Sequence, residues 1–167
     1  KGLTRQEVIE KMRRNLNVMI SAANEGRQNE VYSVSGLIGG DGFKINNYVN
    51  KGKTLTGTAT NLAMAMALSS SEVNASMGKI VACPTAGSCG ILPAVILSAG
   101  AQLELDEEGL IKGLLAAAAV GMIIGMNATL SGAEGGCQAE CGSASAMGAA
   151  AVVEMMGGTP KMSLDAG

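Results

Sequence analysis

Between Thr4 and Gly26 the apolar positions recur at helical spacing: Val8, Ile9, Met12, Leu16, Met19, Ile20 and Ala23 fall on one stripe. "TRQE" at the start reads as a capping box, in which the Thr4 hydroxyl accepts from the backbone of Glu7 and the Glu7 carboxylate reaches back. Gly26 suits the stop, so the pattern predicts an amphipathic helix. From Gln28 to Gly57 the period is lost. "SVSGLIGGDGFKINNYVNKGKTLTG" is rich in Gly, Asn and Ser, and predicts a long ordered loop of the kind that is functional or packed against a partner. Its "GGDG" is a turn signal and, more loosely, a phosphate-loop candidate.

The helical pattern returns from Thr60 to about Met77, closing at Gly78. "KIVAC" is a short apolar run that fits either an extended segment or a buried helix. "CPTAGSCG", Cys83 to Gly90, reads as a loop, followed by a helix through "ILPAVILSA" to about Leu103. Pro93 is tolerated only in a first turn, which starts that helix between Cys89 and Leu92. Asp106 caps a fourth helix, with Glu107 and Glu108 countering its macrodipole, and the apolar run after Lys112 makes that helix central. "SGAEGGCQAECGS" is a second Gly-rich loop. A fifth helix starts at Ser143 or its neighbour and runs through "ASAMGAAAVVEMM" to a glycine stop. Thr159 and Pro160 then offer the cap and first position of another. The expected architecture is all-α: a compact bundle of about five to seven helices around an Ala/Gly-rich apolar helix, residues 1–167 forming one helical domain.

Composition removes several functions. Histidine is absent, which excludes a Ser-His-Asp triad, a Cys-His pair and a His-ligated zinc within this chain. Net charge is -2 and aromatic residues make up 2%, so neither the electrostatic nor the stacking signature of nucleic-acid binding is present. Gly113 to Ala133 is uncharged and about as long as a bilayer span. Its Ala/Gly content, its Asn127, Thr129 and Ser131, and its lack of aromatic or basic anchors favour a buried core helix. Four cysteines in 167 residues do not make a secreted disulfide scaffold, and a reducing cytoplasm is expected. The missing initiator Met and the close after "KMSLDAG" read as a fragment whose C-terminal tail is missing.

The cysteines fall in two pairs, Cys83 with Cys89 and Cys137 with Cys141, each in a Gly-rich loop ahead of a helix. A helix N-terminus favours thiolate, the metal-binding form. Cys83 ends an apolar run and reads as packing. The first spacing is not that of a zinc ribbon, a ferredoxin or a thioredoxin-like pair. A cluster held by distant cysteines on separate loops remains, as does a reactive disulfide. If three thiolates bind, one iron is left open as a Lewis acid. "PTAGSCG" lacks the Lys of a P-loop but offers backbone N–H groups and the hydroxyls of Thr85 and Ser88 to a carboxylate. The candidate substrate contacts are therefore Asn74, Thr85, Gly87 and Ser88. Asn127 is weighed as a contact or a structural hydrogen-bonder, and Glu134 and Glu140 as proton carriers or solvated carboxylates.

"SEVNASMGKIVACPTAGSCGILPAVIL" and "SGAEGGCQAECGSASAMGAAAVVEMMGGTP", with "SVSGLIGGDGFK" upstream, resemble the alpha subunit or catalytic domain of iron-sulfur-dependent L-serine dehydratase. The resemblance implies a lyase that converts L-serine to pyruvate and ammonia through a [4Fe-4S] cluster, without pyridoxal phosphate. It implies a helical catalytic domain working with a regulatory beta subunit or domain, as an oligomer. By the same resemblance Cys89 and Cys137 are cluster ligands, and the third is Cys141 or a cysteine in the missing tail, the tail being preferred. Some relatives have a cysteine where this chain has Ser145. No residue is identified as the catalytic base, and residues 1–167 alone are expected to be inactive. The alternative is a non-catalytic cysteine-metal or redox helical module.

Overall fold

The computed structural model describes residues 2–167, and among them regular structure is entirely helical apart from one isolated bridge between Tyr32 and Gly39. Eight helices follow one another: α1 (Arg5–Gln28), α2 (Asp41–Asn50), α3 (Thr58–Ala75), α4 (Ile91–Gln102), α5 (Glu107–Asn127), α6 (Gly132–Gly135), α7 (Cys137–Met155) and α8 (Pro160–Ala166). The all-α expectation holds; α6 is a single turn.

The capping box predicted at Thr4 is present, with Glu7 N–H donating to Thr4 Oγ1 at 3.3 Å and Thr4 N–H to Glu7 Oε2 at 2.7 Å. The stripe that follows buries Leu16, Met19, Ala22 and Ala23. α1 lies close along α3 because small residues line the contact. Ser69 is fully buried there, donating to Ala22 O at 2.6 Å and accepting from Gly26 N–H at 2.7 Å.

The segment read as a long loop is corrected, since it contains α2. Its sequence, "DGFKINNYVN", has poor helix propensity and no capping side chain of its own. The cap comes from another element: Glu72 of α3 is buried, and its Oε1 accepts from the N–H groups of Asp41 at 2.6 Å and Gly42 at 3.2 Å. A carboxylate at a helix N-terminus meets unpaired donors and the positive end of the macrodipole. Those donors are therefore taken, and "GGDG" is a turn, with Gly40 at φ 75°, rather than a phosphate loop.

α4, α5 and α7 close the core around Leu92, Ile96, Ile111, Leu114, Ala117, Met147, Ala151 and Met155, together with Leu16 and Met19 of α1. α5 is the Ala/Gly-rich helix and is long and apolar enough to cross a membrane by length and composition. It packs chiefly against α7 through Ile111, Leu114, Ala117 and Val120, while Met122, Ile123 and Met126 are exposed. Asn127 donates to Ile123 O at 2.7 Å within its own helix, which is the structural role. "KIVA" is irregular, neither strand nor helix. α8 starts as expected, with Thr159 as cap and Pro160 at its first turn.

Candidate active site

The loop from Cys83 to Gly90 is tied down at both ends and open in the middle. Cys83 N–H donates to Thr85 O at 3.3 Å and Cys89 N–H to Ala86 O at 3.3 Å, which folds the loop on itself. Asn74, in the last turn of α3, donates from Nδ2 to Ala86 O at 3.1 Å. Asn74 is thus a support for the loop. The hydroxyls of Thr85 and Ser88 lie 3.1 Å apart and share a hydrogen bond. Ala86 and Gly87 form the exposed crown, and their N–H groups donate to no described residue.

α7 meets this crown with its first turn. Its start is corrected relative to the sequence reading: the helix begins at Cys137, because Gly136 at φ 76° makes the turn directly before it. Cys137 and Cys141 are therefore helical and one turn apart on one side of α7, and both are exposed and free. Between them in sequence, Glu140 is half-buried, and its Oε1 accepts a short hydrogen bond from Thr85 Oγ1. Gly87 makes this approach possible, since a Cβ there would sit 2.8 Å from Glu140 Oε1. A Cβ at Gly132, in α6, would collide with Glu140 Oε2. Two loops and one helix thus converge on one carboxylate. Glu134, by contrast, is exposed and accepts from Thr129 Oγ1 at 2.7 Å.

Sequence reasoning weighed Glu140 only as a solvated carboxylate or proton carrier. The usable signal was the coincidence of "GGCQAE" with a loop whose middle is "TAGS": small residues on both sides leave room for one acid. Of the candidate substrate contacts, Asn74, Thr85, Gly87 and Ser88 do come together. The hydroxyls of Thr85 and Ser88 are occupied within the loop and with Glu140, so an incoming carboxylate meets backbone N–H groups rather than free hydroxyls.

The cysteines divide by burial. Cys83 is 4% exposed and packs in the core, and desolvation, with a contribution from Cys89, pushes its thiol up to about 12. Cys89 is 1% exposed, with its Sγ 3.7 Å from Ser70 O, and burial pushes its thiol up as well. The helix-terminus argument for a ready thiolate is corrected for Cys89, because loss of water outweighs the nearby start of α4. Among the described residues no group of three His, Cys, Asp or Glu side chains converges as a metal site. Cys137 and Cys141 fit soft thiolate ligation by type and access. Cys89 joins them only if its thiol turns out of the core. The larger cavities lie elsewhere. One of about 470 Å³ lies between α1 and α5, and one of about 380 Å³ lies between α5 and α8, whereas the space beneath Cys83 and Pro84 is only about 130 Å³. Chemistry rather than concavity locates the site, which is an open shelf.

The likeness to known proteins extends over the whole chain. The model of a family described as serine dehydratase alpha chain matches residues 1–167. The chain belongs to this family. It is 45% identical over 163 residues to the probable L-serine dehydratase, alpha chain, of Bacillus subtilis (strain 168), covering 98% of this chain and 54% of that protein. It is 46% identical over 163 residues to the L-serine dehydratase, alpha chain, of Peptoniphilus asaccharolyticus, covering 98% of this chain and 56% of that one. Over 95 residues, 56% of this chain, it is 45% identical to the L-serine dehydratase TdcG of Escherichia coli (strain K12), of which that stretch is 21%. The chain thus spans about half the length of the alpha chains it matches. Within the serine dehydratase alpha chain family, the shelf formed by the Cys83–Gly90 loop and the first turn of α7 is the candidate active site.

Proposed function

We propose that this chain forms the helical catalytic part of an L-serine dehydratase, a lyase that releases pyruvate and ammonia from L-serine in the cytoplasm. The observation that carries the proposal is the meeting of the two cysteine-bearing segments at Thr85 and Glu140, in a chain matched from end to end by the serine dehydratase alpha chain family. Serine presents a carboxylate, an ammonium and a hydroxyl that must leave. The free N–H groups of Ala86 and Gly87 suit the carboxylate, as backbone donors in a tight turn do. Asn74 and the Thr85–Ser88 pair hold those donors in place before substrate arrives.

A [4Fe-4S] cluster belongs to this proposal, held by Cys137, by Cys89 once its thiol turns outward, and by Cys141 or a cysteine outside residues 1–167 as the third ligand. When bound it supplies an iron acting as Lewis acid toward the serine hydroxyl. The proposal also includes an oligomer and a regulatory beta subunit or domain. The rest of the protein would supply the far wall of the shelf and the base that removes the α-proton, for which no residue of this chain is assigned.

The test is anaerobic purification of the full-length protein with its beta partner, followed by iron, sulfide and pyruvate measurements with L-serine. Pyruvate formation with iron and sulfide present is the expected result. Zinc without sulfide and no pyruvate would instead identify a non-catalytic cysteine-metal module.

A further inference from the structure

Glu140 is a half-buried carboxylate without a cation. None of the ion pairs among the described residues involves it. Its Oε1 is occupied by Thr85, and its Oε2, beside Gly132, has no hydrogen-bond partner among the described residues. That oxygen is not sealed in the core, so it stays open to an incoming donor. In the first turn of α7 the macrodipole favours the charge, but no side-chain cation neutralises it. The bond from Thr85 would be accepted equally by a neutral amide oxygen.

The position of Glu140 says which cation fits. Gly87, whose N–H is one of the free donors on the crown, is also the residue whose missing Cβ lets Glu140 approach. Anion donors and an unpaired carboxylate therefore adjoin at the same residue. A molecule that carries a carboxylate and an ammonium on one carbon matches both at once. We infer that Glu140 is the substrate-binding residue that receives the α-ammonium of an amino-acid substrate, and so selects amino acids over the corresponding hydroxy acids. The inference rests on the proposed function and deepens it. It adds no covalent step: Oε2 accepts hydrogen bonds from the ammonium while Oε1 stays fixed by Thr85.

A charge-assisted hydrogen bond of this kind is worth about 1.5–3 kcal/mol, or roughly ten- to a hundred-fold in affinity. The experiment compares wild type and Glu140→Gln in the full-length holoenzyme, measuring kcat and KM for L-serine and inhibition by glycerate, which carries a hydroxyl in place of the ammonium. KM for L-serine should rise by about ten- to a hundred-fold in Glu140→Gln, with kcat changed less, while glycerate inhibits both proteins equally. An unchanged KM would overturn the inference. Equal weakening toward serine and glycerate would also overturn it, since that marks a general loss of loop structure. Thr85→Val provides the second variant, because it removes the anchor and keeps the charge. Thr85→Val should keep the preference for serine over glycerate even where both bind more weakly; loss of that preference would assign selection to the loop instead. A wild type that forms no pyruvate from L-serine would sink the functional reading itself, a result distinct from either outcome for Glu140.

Discussion

Cys83 and Cys137 are the same side chain in opposite surroundings, and solvent accounts for the difference. Cys83 and Cys89 are buried, with thiols pushed up by desolvation, whereas Cys137 and Cys141 are exposed. Alkylation attacks the thiolate, so both low access and a raised pKa protect the first pair. Brief treatment of the folded, reduced protein with iodoacetamide at about pH 8 should label Cys137 and Cys141 and leave Cys83 and Cys89 unmodified by peptide mass mapping. Prompt labelling of Cys83 would contradict its place in the core. The same burial gives a pH dependence. Folding raises the Cys83 thiol from its ordinary 9.0 to about 12, so the folded chain holds this proton more tightly than the unfolded one. Its stabilising contribution is therefore complete below pH 9 and is lost as pH rises from 9 toward 12. Melting temperature should fall over that range more steeply in wild type than in Cys83→Ala, and matching slopes would remove Cys83 as the cause. The sequence marked Cys83 correctly, because it ends an apolar run. It misjudged Cys89, because position near a helix start is visible in a sequence and depth beneath α3 is not.

At the level of elements, the contact between α1 and α3 depends on atoms too small to register in a hydrophobic pattern. Ser69 serves Gly26 N–H and Ala22 O together, so Ser69→Ala should cost about 1–3 kcal/mol, read as a shift in the denaturation midpoint. Gly26→Ala tests the same contact from the other side. Its Cβ would meet Ser69 Oγ at 2.9 Å and Ser69 Cα at 3.0 Å, and overpacking of this kind costs about 1–3 kcal/mol. If either variant melts like wild type, the close approach is not stabilising. α1, α4 and α5 were legible because each carries its own signals: the Thr4 capping box, Pro93 confined to the first turn, and the Asp106 cap with acids behind it. α2 was not, because its cap is Glu72, a residue about thirty positions away that no local window contains. The start of α7 was misplaced for a related reason. "CQAECGS" looks like loop by composition, yet the positive φ of Gly136 lets the helix begin immediately. The helices whose ends are set by neighbours in the chain could be read, and those set by tertiary contact could not.

For the whole molecule, the bundle brings together two Gly-rich segments whose contact, Thr85 with Glu140, spans 55 positions, and the candidate site exists only where they touch. That Asn74, Thr85, Gly87 and Ser88 belong to one neighbourhood was legible from small residues beside polar ones. The partner that completes them, Glu140, was not, since its contact with Thr85 depends on how α7 docks against the loop. The matched alpha chains are about twice the length of this chain, so the proposed activity is to be measured in the full-length protein. The most direct measurement is the rate of pyruvate release from L-serine by the anaerobically purified full-length protein with its beta partner, comparing Cys137→Ala with Cys83→Ala. The account predicts activity in Cys83→Ala, whose thiol only packs, and a loss of at least about a hundred-fold in Cys137→Ala, whose exposed thiol sits in the first turn of α7. Full activity with Cys137 replaced would show that the meeting of the Cys83–Gly90 loop with α7 is not where serine is dehydrated.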